Sequence, residues 1–302
     1  MFNYDQSYPG VRQPVFARNV VATSHPLAAQ AGLRILMQGG NAVDAAVAAA
    51  AALTVCEPVS NGLGSDAFCI LWDGKELHGL NAAGRAPAGW KPGYFQKKYP
   101  DATELPQRGI DSVTVPGAVS AWVQLNKRFG ALPLADTMQP AIELAEKGFA
   151  VPVVVQRKWA AGAELLAQQP GFAQAFLPRG RVPEVGEIFR FPALAHGLKR
   201  IANSRGVAFY GGEIAHAIEL FAREHGGMIR ASDFESYQPE WVQPLSVDYR
   251  GYTVHEIGPS THGIAALMAL GILHHYDLAR LGPDSVSAQH VQIEAIKLAM
   301  AD

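Results

Sequence analysis

An alanine-rich stretch from Asn41 to Val55 constrains this chain more than any other feature. Asn41 is a natural helix N-cap, and Gly39-Gly40 before it ends a preceding helix pattern over Pro26 to Gln38. Between Ala42 and Val55 nearly every helical face carries Ala. Side chains that small let a helix approach a sheet or another helix very closely, so the spacing predicts a buried helix. The stretch is too short for a membrane span and is interrupted by Asp44. It leads into Val55 to Phe68, a turn with Gly62, Gly64 and Asp66, and then a strand-like run from Phe68 to Trp72. Two readings of that turn stand open. Its glycines permit left-handed angles and close approach, and unpaired N–H groups there would bind an anion. It also reads as an ordinary helix-to-strand connection.

The rest of the chain alternates less regularly. Hairpins are expected about Asp73-Gly74 and Arg250-Gly251. Helices are expected over Val119 to Arg128, Pro140 to Lys147, Gln156 to Gln169, Ala193 to Arg205, Gly212 to His225, Ser232 to Tyr237, Gly263 to Tyr276 and Ser287 to Ala301. Arg85 to Pro106 is rich in Pro, Gly and Tyr and reads as irregular. Strands therefore gather near both ends and helices fill the middle. At 302 residues, with no repeat or evident linker, the chain is expected to form a single domain over 1–302.

Charge and cysteine usage narrow the function. Net charge is −2, and no cluster of Lys and Arg forms a nucleic-acid surface. Met1 to Arg18 holds no apolar run and does not read as a secretory leader. Cys56 and Cys69 are the only cysteines, both in apolar segments, and are expected to be buried free thiols of a reducing compartment. This points to the cytoplasm, with periplasmic or secreted forms left open. His274-His275 point about 100° apart on a helix and cannot ligate as an i, i+4 pair. No metal signature, phosphate-binding loop or dinucleotide fingerprint appears, so no cofactor is expected.

The order of short motifs is more specific. Ala22-Thr23-Ser24-His25-Pro26-Leu27-Ala28, Gly39-Gly40-Asn41-Ala42-Val43-Asp44-Ala45-Ala46, the glycine turn, Gly84-Arg85-Ala86-Pro87-Ala88 and Ser112-Val113-Thr114-Val115-Pro116-Gly117 follow one another. Phe209-Tyr210-Gly211-Gly212, Gly226-Gly227-Met228-Ile229 and Glu294 to Asp302 complete the series. Together they resemble the large subunit of the gamma-glutamyltransferase family, across nearly the whole chain. The resemblance implies an α+β fold, a four-layer αββα sandwich of the N-terminal-nucleophile hydrolase type, completed by a small subunit from the same self-cleaving precursor. It implies a Thr that opens the small subunit, beyond Asp302, whose hydroxyl attacks a gamma-glutamyl amide while its own amine serves as base. No catalytic residue is then expected in this chain. Internal Thr23, Thr54 and Thr114 carry no free α-amine and read as local hydrogen-bonders. Water or an amino-acid amine would take the acyl group. A dimer of such heterodimers is a further possible assembly.

Arg85 is the one substrate-binding candidate. The resemblance implies an Arg in this strand-end motif that grips the substrate α-carboxylate through a bidentate fork. Aligned on Ala86-Pro87-Ala88, however, the family's Arg falls where this chain has Ala83. A two-residue offset keeps one face of a strand, so Arg85 serves if the strand persists. The competing reading is a structural Arg. Ser65 and His262 stand where Gly is common in the family, and each could narrow or polarise the site; His262 also reads as a plain surface turn residue. Two alternatives remain beside the gamma-glutamyl reading. One is a glutaryl or cephalosporin acylase of the same family, and the other a non-catalytic scaffold that kept the fold.

Overall fold

The computed structural model describes residues 14–282 and 284–302. Residues 1–13, on which most of the leaderless reading rests, lie outside the described residues. The chain divides into two compact units. Unit 1 comprises residues 1–65 and 85–237, and unit 2 comprises 66–84 and 238–302.

Unit 1 is mainly helical. It holds α1 (Pro26–Met37), α2 (Ala42–Cys56), α3 (Pro92–Lys98), α4 (Ala118–Phe129), α5 (Leu134–Lys147) and α6 (Val153–Leu166). The short α7 (Phe172–Phe176), then α8 (Pro192–Ser204), α9 (Val207–Tyr210), α10 (Glu213–Glu224) and α11 (Ala231–Glu235) follow. At its centre, α2 packs against α1 and α5. Its start is built as the sequence suggests. The Asn41 side chain accepts from the backbone N–H groups of Val43 and Asp44, and Asp44 accepts from the Asn41 N–H. Asp44 is fully buried, and also accepts from Asn126 Nδ2 at 3.0 Å and from the amides of Ala131 and Leu132 at 2.8 and 3.2 Å. One carboxylate thus ties the start of α2 to the loop after α4. Gly130 is required there, because a Cβ would meet Asp44 and Asn126 at 2.6 Å.

Three expectations are corrected in unit 1. The helix placed at Pro140 begins at Leu134. Pro140 lies inside α5, where it forgoes one backbone bond. The segment 85–106 contains α3, whose Tyr94 hydroxyl, with that of the following Tyr99, bonds Asp111 at 2.8 Å, with Lys98 paired to the same carboxylate. Asp111 is 2% exposed, so a long-range buried network holds a helix that local propensity disfavours. A two-residue ladder, β3 (Phe149–Ala150) with β4 (Ile188–Phe189), also lies in the middle of the chain.

Unit 2 holds β1 (Ala67–Trp72), β2 (Leu77–Ala82), β5 (Glu240–Val242), β6 (Leu245–Tyr249), β7 (Tyr252–Glu256), α12 (Gly263–Leu273), α13 (Leu278–Leu281) and α14 (Val286–Ala301). β1, β2 and β5 form one antiparallel sheet in that order, with Phe68 opposite Asn81 and Leu80 opposite Trp241. β6 and β7 form a hairpin with Tyr249 opposite Tyr252. Its two turn residues, Arg250 and Gly251, have φ of 52° and 85°, the left-handed pair that a two-residue hairpin needs.

α14 packs inside out. Its small residues Ala295 and Ala299 join Ala265, Ala269 and Leu273 of α12 in one buried cluster. Its larger apolar residues Val286, Ile293, Ile296, Leu298 and Met300 are exposed. β1 does the same on alternate positions, with Phe68, Ile70 and Trp72 at 42%, 39% and 62% exposure.

Candidate substrate-binding site

Two local assemblies carry the residues singled out by sequence. The first is the glycine turn that follows α2. The Glu57 carbonyl accepts from Ser60 and Asn61, and its carboxylate accepts from Ser24 Oγ at 2.5 Å. Ser65 N–H bonds Gly62 O, and Ser65 Oγ accepts from Gly62 N at 3.1 Å. The Ser65 carbonyl receives the amides of Gly117 and Ala118 at 3.1 and 2.8 Å, at the start of α4. The amides of Ser60, Asn61, Gly62 and Ser65 are therefore engaged within the turn. Neither Gly62 nor Gly64 has positive φ, and a Cβ on either would meet nothing closer than 3.9 Å. Of the two readings, the structural connection is the one the geometry supports. Ser65, which could narrow or polarise the site, closes the turn.

The second assembly is the strand-end motif. β2 stops at Ala82. Arg85 lies three residues beyond it, so the same-face argument for the offset from Ala83 does not hold. Ala83 N–H turns back onto Asn81 Oδ1 at 3.0 Å. In unit 2, Gly84 N–H bonds Asp66 Oδ1 at 2.7 Å. In unit 1, Val115 N–H bonds Arg85 O at 3.0 Å, and Ala88 N–H bonds Asp233 Oδ1 at 3.0 Å. Arg85 is exposed, on a backbone fixed at both ends. A guanidinium so placed can present a planar pair of donors to a carboxylate.

His262 is exposed and precedes α12 without capping it. The neighbouring Thr261 Oγ1 accepts from Gly263 N at 3.1 Å instead. Thr54 Oγ1 bonds Ala51 O at 2.7 Å, the local role expected of it. Cys56 is buried, and burial pushes its thiol up to about 12, so it is inert. Cys69, expected to be buried, is half-buried on β1, and burial raises its thiol too.

Asp66, Asp233 and Asp111 were not identified from sequence as supports of this region. Their partners lie 18, 145 and 12–17 residues away, and no local pattern marks them. The sequence also missed that Asp73, Glu76 and His78 bring ligand atoms within 4.8 Å of one another. Asp73 Oδ1 there accepts from the amides of Lys75 and Glu76, and Oδ2 meets His78 Nε2 at 2.9 Å. Those bonds hold the Asp73 carboxyl well below its ordinary range. The cluster is the turn chemistry of the first hairpin. Among the described residues no helix is long and apolar enough to cross a membrane.

The family model described as Gamma-glutamyltranspeptidase matches residues 28–302. The glutathione hydrolase-like YwrD proenzyme of Bacillus subtilis (strain 168) is 38% identical over 288 residues, covering 94% of this chain and 54% of that protein. The crystal structure of cephalosporin acylase from Bacillus halodurans aligns with a TM-score of 0.92 at 45% identity, over 100% of this chain and 57% of that one. Helicobacter pylori gamma-glutamyltranspeptidase aligns with a TM-score of 0.90 at 28% identity, over 96% of this chain and 84% of that one. The chain spans about half the length of the curated relatives it matches.

Proposed function

This chain belongs to the gamma-glutamyltranspeptidase family, and from that premise we propose that it is the large-subunit part of a self-cleaving amidohydrolase acting on gamma-glutamyl amides. The αββα sandwich class expected from the sequence stands with the family. In the proposed enzyme a partner subunit from the same precursor brings the Thr nucleophile, whose α-amine serves as its base and titrates near 8. Arg85 binds the substrate α-carboxylate. Water or an amino acid takes the acyl group. The two units act together as one large-subunit domain, in the cytoplasm, where Cys56 and Cys69 stay free. Two such heterodimers can pair.

The observation that carries this reading is the outward apolar surface of unit 2. The β1 face of Phe68, Ile70 and Trp72 and the α14 stripe through Ile293 and Met300 are exposed in the chain as it stands. A sheet face and a helix stripe of this kind need another layer. Relatives of twice the length, with names that include the word proenzyme, supply room for that layer.

A second reading is favoured by one comparison. Ala83 stands at the family's Arg position, and the chain is 45% identical to a cephalosporin acylase. A glutaryl-type acyl group is a gamma-glutamyl group without the α-amino group, and it keeps a carboxylate at the same chain position. Steady-state kinetics on gamma-glutamyl-p-nitroanilide beside glutaryl-p-nitroanilide separate the two. Removing a charge-assisted bond costs roughly 1.5–3 kcal/mol. Arg85→Ala is therefore expected to raise KM on the gamma-glutamyl compound by about ten- to a hundredfold, with turnover of 4-aminobutyryl-p-nitroanilide, which lacks only the α-carboxylate, unchanged. Arg85→Lys should recover only part. Equal loss on the gamma-glutamyl and 4-aminobutyryl compounds rejects the α-carboxylate role. A parent enzyme active only on the glutaryl compound moves the assignment to the acylase.

A further inference from the structure

Because β2 ends at Ala82, the sheet does not set where Arg85 sits. Within unit 1, two backbone bonds do so, Val115 N–H to Arg85 O and Ala88 N–H to Asp233 Oδ1, each 3.0 Å. The second depends on a single carboxylate. The other oxygen of Asp233 accepts Arg230 N–H at 2.8 Å, at the start of its own short helix. The next residue, Phe234, is fully buried and packs against the rings of Phe209 and Tyr210. Asp233 is thus rooted in the core while its free oxygen reaches a segment 145 residues away. The approach is tight, since a Cβ on Gly89 would meet Met228 Cε and Cβ at 2.8 and 2.9 Å.

We propose that Asp233 is a positioning residue for Arg85: by holding the Ala88 amide it fixes the loop that aims the guanidinium, and so contributes to selectivity for substrates that carry an α-carboxylate. This rests on the reading of Arg85 given above. The geometry gives it a signature that a purely structural role lacks. Freeing Ala88 lets the Arg85 loop move and leaves the remainder of the acyl-binding surface alone. The penalty then falls on one substrate class and exists only while Arg85 is present.

The test is Asp233→Asn in the matured, full-length protein. Asn keeps one acceptor for the Arg230 amide and turns an NH2 toward the Ala88 donor. The expected result is a rise of about five- to tenfold in KM for gamma-glutamyl-p-nitroanilide, with kcat within about twofold and 4-aminobutyryl-p-nitroanilide, which lacks only the α-carboxylate, unaffected. In an Arg85→Ala background the substitution should add nothing. Gly89→Ala, which forces the same segment off Met228, should reproduce the selective effect if Asp233→Asn does not fold. Equal losses on both substrates, effects additive with Arg85→Ala, or unchanged kinetics would each overturn the proposal. If Arg85→Ala itself shows no preference between substrates, the Arg85 reading fails and takes this one with it. A selective Arg85→Ala beside a silent Asp233→Asn removes only the role of Asp233.

Discussion

The helices α2 and α14 are both rich in Ala, yet they differ in what they leave exposed. At the start of α2 the polar side chains Asn41 and Asp44 find their partners inside the chain. Asn41 caps the helix, Asp44 accepts four hydrogen bonds, and Gly130 leaves room for its carboxylate. Around α14 the small residues are inside, and Ile293, Ile296 and Met300 are outside. Alanine in α2 lets neighbours close on the helix from all sides. In α14 it brings one side to α12 and leaves the larger apolar groups for another surface. The first region is closed on itself, and the second leaves an apolar face exposed.

Substitutions at each end sharpen this contrast. Asp44→Ala leaves the amides of Asn41, Ala131 and Leu132 and the Asn126 side chain without their acceptor in a buried site. Removing one side of a buried charged network costs about 3–5 kcal/mol, and chemical denaturation should show a loss of that size. Asp44→Asn, which keeps the shape and one acceptor, should lose less. In α14 the expectation reverses. Ile293→Glu should leave the helix content of residues 1–302 unchanged by circular dichroism. It should lower dye binding and aggregation of that chain alone, and weaken assembly with the small subunit proposed above by about 2 kcal/mol or more. Loss of folding instead, with assembly intact, would show that the α14 face belongs to the core of this chain.

A smaller effect concerns the cap of α1. His25 Nδ1 accepts from Leu27 N–H at 3.1 Å, so the ring must be neutral there, and the residue is 5% exposed. Burial lowers its pKa below the ordinary value, with Glu57 pulling weakly the other way. The unfolded chain then takes up a proton before the folded one does. The contribution of His25 is fully present above pH 6.5, the ordinary value, and is lost as pH falls through the lowered one. Thermal stability should decline modestly with acidification below that point, and His25→Asn, a non-titrating cap, should flatten the slope. An unchanged slope would remove His25 as the source.

What the sequence made legible follows the range of the interactions. The cap at Asn41, the hairpin turns at Asp73-Gly74 and Arg250-Gly251, and the α14 helix are written in neighbouring residues and are found where expected. α3 was read as irregular because Pro, Gly and Tyr disfavour helix locally, while Asp111 and Lys98 hold it from a distance. Arg85 kept the strand's face only if the strand ran on, and alternation alone does not show where pairing ends; β2 has lost its partner by then. The supports of Arg85 were invisible for the same reason. Asp233 meets Ala88 only once the chain has folded.

The central claim is that this chain is one product of a precursor that cuts itself to expose a Thr nucleophile. The most direct measurement is the intact-mass spectrum of the purified protein made from its complete coding region, beside a variant in which that Thr is replaced by Ala. Two chains, the second opening on Thr, with a single uncut chain in the variant, is the predicted result. A wild type that stays one intact chain and still hydrolyses either p-nitroanilide would contradict the account.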